Sequence, residues 1–162
     1  MRVLGIDPGT AACGYGVVSQ SGGRLEAVDL GQWHTRADTR PEQRLKTIHD
    51  AVVDLIDRYE PDAVAVEESF VGADARTALS VGQARGAVLV AAACAGTACV
   101  EYAPAHVKQA VCGYGRAEKA QMQRMVQAML RLDRPPASSH AADALAVAIC
   151  HALAPPLLRA TG

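Results

Sequence analysis

Paired cysteine motifs, long apolar runs, repeats and any sizeable net charge are all missing from this 162-residue chain. Its five cysteines, Cys13, Cys94, Cys99, Cys112 and Cys150, are odd in number, scattered, and never spaced C-x-x-C. That pattern indicates neither a disulfide framework nor a zinc site, and leads us to expect buried thiols in a reducing compartment. The longest apolar stretch, Gly86 to Ala95, is ten residues, well short of the roughly 20 needed to cross a bilayer. A core or interface helix is expected there, with no membrane association. No low-complexity segment or linker interrupts the chain, and 50% hydrophobic with 20% charged residues predicts a single domain over 1–162. A basic start followed by an apolar segment and a cleavage site is also lacking, so the expectation is a cytoplasmic protein.

The formal charge of -1 at pH 7 would ordinarily argue against a nucleic-acid partner. Its distribution argues otherwise. From Asp50 to Asp74 there are eight acids and one base, Arg58, whereas from His106 to Arg134 six bases (Lys108, Arg116, Lys119, Arg124, Arg131, Arg134) stand against Glu118 and Asp133. A near-zero total can hide a basic face.

What the chain does carry begins at Val3-Leu4-Gly5-Ile6-Asp7-Pro8-Gly9-Thr10, an apolar run that ends in a carboxylate and then turns on Pro-Gly. Asp7 thus sits at a strand end, where it could cap a turn or build a site. Gly14 to Ser19 reads as a second strand and Arg24 to Trp33 as a third, joined by a turn at Ser21-Gly22-Gly23, so the opening third is an antiparallel meander. Pro41 opens a helix with Leu45, Ile48, Val52, Leu55, Ile56 and Tyr59 at helical spacing, ending before Pro61. Asp62 to Glu67 is a fourth strand, apolar until its last carboxylate. Ala75 to Ala95 reads as a long helix in which Gly82 and Gly86 would let another backbone approach. Thr97 to Tyr102 gives a fifth strand, followed by a short helix bearing Lys108 and a helix over Glu118 to Leu132 with Met122, Met125, Val126 and Met129 inward. The final helix, Ala141 to Leu153, is capped by Ser138 or Ser139. This order predicts an α/β fold, one five-stranded mixed sheet with helices on both faces.

If the first and fourth strands lie side by side and parallel, Asp7 and Glu67 emerge at one sheet edge. His140 and Asp143, spaced i, i+3, share a helix face that could close over them. Carboxylates and an imidazole gathered at one point draw in hard divalent cations, Mg²⁺ or Mn²⁺, and suit two-metal phosphodiester cleavage.

Gly5-Ile6-Asp7-Pro8-Gly9-Thr10, Gly14-Tyr15-Gly16-Val17, Val66-Glu67 followed by Phe70, Gly82-Gln83-Ala84-Arg85-Gly86, Val107-Lys108-Gln109, Ala117-Glu118-Lys119 and Ala141-Ala142-Asp143-Ala144-Leu145-Ala146 together resemble the RuvC family of bacterial Holliday-junction resolvases. The resemblance runs in order over nearly the whole chain. It implies a ribonuclease-H-like fold, a homodimer, and divalent-metal-dependent paired nicking of four-way DNA junctions in recombination and repair. It also implies cooperation with a branch-migration complex of a motor ATPase and a junction-binding subunit.

Carried over by position, Asp7, Glu67 and Asp143 match the family's catalytic carboxylates. His140 stands where many members have Asp, and would complete a set of metal ligands with those three. The imidazole favours Mn²⁺ over Mg²⁺, two ions per site, and its protonation would remove a ligand, so activity is expected to fall on the acid side of neutrality. Lys108 and Lys119 match family lysines near the scissile phosphate, where a fixed cation steadies developing charge. Phe70, the only phenylalanine, reads as a core residue by type, whereas the resemblance implies an aromatic that stacks in the opened junction. Arg85 and Arg116 are further candidates for DNA contact. His34, His49, His106 and His151 are read as non-ligands and Trp33 as structural.

Two other classes compete. Asp-x-Gly-Thr after a first strand also opens the phosphate hairpin of actin-like ATPases, but those need a duplicated domain. A junction binder without cleavage would gain nothing from acids facing phosphate.

Overall fold

The computed structural model describes residues 1–68 and 75–155. Strands β1 (Arg2–Asp7), β2 (Ala12–Ser21) and β3 (Arg24–His34) form the meander, and α1 (Pro41–Tyr59) leads into β4 (Ala63–Glu67). Helix α2 (Ala75–Cys94), β5 (Cys99–Tyr102), α3 (Pro104–Cys112), α4 (Lys119–Leu130) and α5 (Ser139–Leu153) follow. The sheet order is β3-β2-β1-β4-β5, with β1 antiparallel to β2 and parallel to β4, and β4 parallel to β5. The mixed sheet and the β1–β4 neighbourhood expected from element order are therefore present.

Helices cover both faces. Ile48, Val52, Leu55 and Ile56 of α1 and Ala84, Val88, Ala91 and Ala92 of α2 pack with Leu4, Ile6, Val64 and Val66 on one side. On the other, α3, α4 and α5 pack around Val3, Val18, Ala65 and Tyr102. Of the α4 residues expected to face inward, Met122 and Val126 are buried with Leu130, while Met125 and Met129 are partly buried against the same core. In β3, Val17 pairs with Asp29 and Val18 with Ala27, so Val28 is bulged out and Asp29 is re-aimed. Asp29 accepts hydrogen bonds from Tyr59 (2.6 Å) and Tyr15 (3.3 Å), tying the meander to the end of α1.

Helix α5 decides the site. Ser138 caps it by accepting from the backbone N–H groups of His140 and Ala141. The helix then lies almost on the sheet, because its alanines are small and the strands beneath it carry glycine. A Cβ on Gly5 would stand 2.0 Å from the Ala144 carbonyl oxygen, and one on Gly14 would stand 2.1 Å from that of His140. Both obstacles are backbone. We expect Gly14→Ala to destabilise the domain by about 3 kcal/mol, the upper part of the overpacking range, and to slow DNA nicking more than tenfold by lifting the start of α5. Urea denaturation and a nicking assay check this; wild-type values in both would mean that α5 yields freely.

The cysteines only partly follow expectation. All five are free, but Cys94 is exposed and Cys99 and Cys112 are half-buried, leaving Cys13 and Cys150 as buried thiols. Helix α2 also departs from the ten-residue apolar stretch read from sequence. All 20 of its residues together are long and apolar enough to cross a membrane by length and composition, and little of the helix is buried. Small residues raised its hydropathy without forming a continuous bulky run. The helix is nevertheless tied to the domain, by α1 along one side and by the ion pair of Arg85 with Glu101 on β5.

Candidate active site

The parallel ladder of β1 and β4 runs from Val3 opposite Ala63 to Ile6 opposite Val66. The next residue on each strand is a carboxylate, Asp7 and Glu67, so the two acids leave the sheet side by side. The close seating of α5 brings His140 and Asp143 over them. His140 Nδ1 lies 2.7 Å from Asp7 Oδ2, and Lys119 Nζ lies 2.9 Å from Asp143 Oδ2.

Two adjoining hollows share Glu67 and Pro104. One, of about 230 Å³, is bounded by Lys108, Lys119, Met122 and Asp143; the other, of about 320 Å³, by Asp7, Pro8, Gly9, Val81 and His140. Together they make a cleft with acids along its floor and lysines at one end. Sequence reasoning named six site residues, Asp7, Glu67, His140, Asp143, Lys108 and Lys119, and all six line this cleft.

The electrostatics reflect crowded like charge. Burial raises the Asp7 carboxyl above its ordinary range, and Asp143 adds to that, against the lowering effect of the His140 hydrogen bond. Burial pushes Glu67 up to about 7, reinforced by Asp7 and Asp143 and opposed by Lys108 and Lys119. Two carboxylates that resist ionisation beside a third are relieved by a cation, and an all-oxygen set with one imidazole nitrogen suits a hard or borderline divalent ion. The donor chemistry therefore fits a metal. The rotamers are a different matter: among the described residues, no three His, Cys, Asp or Glu side chains already converge in ligating geometry. His140 is turned to Asp7 and Lys119 to Asp143, internal pairs that a cation would have to open. The nearby Cys13 thiol is pushed up to about 12 by burial and is no nucleophile.

Two of the expected DNA contacts, Arg85 and Arg116, do not line this cleft. Arg85 donates from Nε and Nη2 to the two carboxylate oxygens of Glu101, which ties α2 to the sheet edge. Arg116 is exposed on the α3–α4 turn, beside the cleft rather than in it. Phe70 lies outside the described residues.

Sequence reasoning missed one pair. His151 is the only buried polar side chain among the described residues, and its Nδ1 lies 2.8 Å from the Tyr102 hydroxyl. Tyr102 is the register partner of Glu67, and its carbonyl accepts from the Glu68 N–H at 2.9 Å. The bond thus links the strand end beside Glu67 to the helix that carries Asp143. No spacing rule joins residues 49 apart; the only signal was a histidine inside the apolar run from Ala144 to Leu153.

Strand order and acid placement define the class, a ribonuclease-H-like nuclease domain. Within that class, residues 3–151 match the family model described as "Crossover junction endodeoxyribonuclease RuvC", and the chain belongs to that family. It is 51% identical to RuvC of Chloroflexus aggregans over 100% of this chain and 99% of the relative. Against RuvC of Heliobacterium modesticaldum the identity is 53%, covering 93% of each. The solved structure of Thermus thermophilus RuvC in complex with Holliday junction substrate is 42% identical, with a TM-score of 0.89 over 94% of this chain and 93% of that one.

Proposed function

We propose that this chain resolves four-way DNA junctions as a homodimer, by paired phosphodiester hydrolysis that depends on a divalent cation and runs faster with Mn²⁺ than with Mg²⁺. The observation that carries the reading is the side-by-side exit of Asp7 and Glu67 from parallel strands, under Asp143 and His140, in a cleft with lysines at one end. Asp7, Glu67, Asp143 and His140 would hold the cation. When bound, it supplies a lowered water pKa and neutralises charge on the leaving oxygen. Lys108 and Lys119 present fixed positive charge to the phosphate, and Lys119 exchanges its hold on Asp143 for the substrate. His140, as a neutral ligand, leaves the site one charge less negative than an Asp would and supplies the nitrogen that favours Mn²⁺. Phe70 would stack in the opened junction, and a branch-migration motor with its junction-binding subunit would deliver the substrate. Incubating the protein with a synthetic mobile junction, with and without each metal, and mapping the nicks tests the reading; metal-dependent paired nicks at symmetric positions support it.

Dimerisation is read from α2. Leu79 and Val90 are exposed, and among the described residues a Cβ built on Gly82 or Gly86 meets nothing within 4 Å, so those residues leave an apolar side of the helix uncovered. An isologous contact there would set two identical sites on the two strands of a two-fold symmetric junction. Gly86→Glu should leave the monomer's own packing intact and even favour the helix by up to about 1 kcal/mol. It should shift sedimentation to monomer and abolish paired nicking. A dimeric Gly86→Glu protein would place the interface elsewhere.

A further inference from the structure

We propose that Tyr114 is a stacking platform for junction DNA, on the turn that joins the two helices whose lysines line the active-site cleft; this rests on the junction being the substrate. Among the described residues it is the only aromatic side chain in the set of exposed large hydrophobics, 44% exposed. One exposed apolar residue is by itself ordinary. What distinguishes this one is how it is held and what surrounds it.

The ring stands on the turn between α3 and α4. Gly113, at φ 82°, ends α3 in the left-handed conformation. Gly115 then brings the turn back against the first turn of α3: a Cβ there would lie 3.2 Å from the Ala105 carbonyl oxygen. Ala105 follows Pro104, which lines both halves of the cleft. The turn is thus fastened beside the site. The Tyr114 hydroxyl donates to Gln121 Oε1 on α4, so a residue that is 44% exposed has one anchored edge. An anchored ring loses less freedom when a partner stacks on it.

The surrounding charge selects the partner. Lys108 and Lys119 lie on the two helices that the turn connects, and Arg116, two residues on, is exposed on the turn itself. An exposed ring on a turn flanked by basic residues matches a polyanion that carries flat rings, with phosphates on the cations and a base or sugar on the ring.

The test uses the full chain and a synthetic four-way junction, with Kd measured across a salt series in Ca²⁺ or chelator. Tyr114→Ala should weaken binding about tenfold with an unchanged slope of log Kd against log salt, because no phosphate contact is removed. Tyr114→Phe should bind within about twofold of wild type, since the ring is kept, whereas Arg116→Ala should lower the slope by about one. Iodouracil placed near the cleavage position of the junction should photo-cross-link wild-type protein at Tyr114. Unchanged affinity of Tyr114→Ala, equal loss in Tyr114→Phe, or cross-links only at other residues would overturn the stacking role. A wild-type chain that binds no junction would overturn the functional reading together with it.

Discussion

Asp7→Asn is expected to abolish DNA cleavage, by on the order of 10³-fold or more, while junction binding stays at the wild-type level or tightens. Asp7 ends β1, where Pro8 and Gly9 turn the chain away, and its carboxyl is held high by burial and by Asp143. The amide keeps the shape and removes the charge. Affinity for a four-way junction should come chiefly from phosphate contacts and counterion release, which lie with the basic segment that includes Lys108, Arg116 and Lys119 rather than with the acids. Removing one negative charge from the cleft floor lowers repulsion of the phosphate, which is why tighter binding is possible. The measurement is a gel-shift titration in Ca²⁺ beside a nicking time course in Mn²⁺. Binding lost in step with cleavage, with a lowered melting temperature, would make Asp7 a structural residue of the β1 turn.

The backbone of this site was readable from the chain because each of its acids stands at a punctuation mark. Asp7 follows four apolar residues and precedes Pro-Gly; Glu67 closes another apolar run; Asp143 and His140 share one face of a helix that opens at a capping serine. Strand order then made β1 and β4 neighbours. What could not be read was where long side chains end. Arg85 belongs to a motif that resembles a DNA contact, yet it finds Glu101 sixteen residues away because the fold puts α2 against the edge strand. Lys119 and His140 likewise choose Asp143 and Asp7, choices made by proximity across 24 and 133 residues. The register shift that bulges Val28 and re-aims Asp29, and the Tyr102–His151 bond behind Glu67, have the same origin: they depend on packing that only the assembled sheet defines. The glycines were visible, but their purpose was not, since Gly5 and Gly14 matter through the backbone of α5 more than 120 residues on.

The second large effect concerns stability rather than rate. Glu67 titrates near 7 in the folded chain against 4.5 as a free side chain, chiefly because it is buried. Between those values the folded state binds more protons than the unfolded one, so stability falls as pH rises. The contribution is fully present below about pH 4.5 and is lost as pH passes through about 7. The whole shift corresponds to at most about 3.5 kcal/mol, and roughly half of that once solvent screens a partly exposed carboxylate. For a domain of this size that is about 5 °C in Tm. Metal-free wild type should therefore melt about 5 °C lower at pH 8 than Glu67→Gln, and the two should converge near pH 4.5. A cation that binds only the folded site reverses the loss, because it pays for charge that the buried acids otherwise bear alone. Millimolar Mn²⁺ should raise the wild-type Tm at pH 8, do little at pH 5 where protons compete for the same oxygens, and fail to stabilise Glu67→Gln to the same extent. If Glu67 sets the acid limb of cleavage, raising Mn²⁺ shifts the limb to lower pH, and His140→Asp, which restores an oxygen ligand, should improve use of Mg²⁺. Parallel melting curves for wild type and Glu67→Gln at every pH, with or without metal, would mean that Glu67 is ionised without resistance and that the crowding of acids in this cleft is relieved by Lys108 and Lys119 alone.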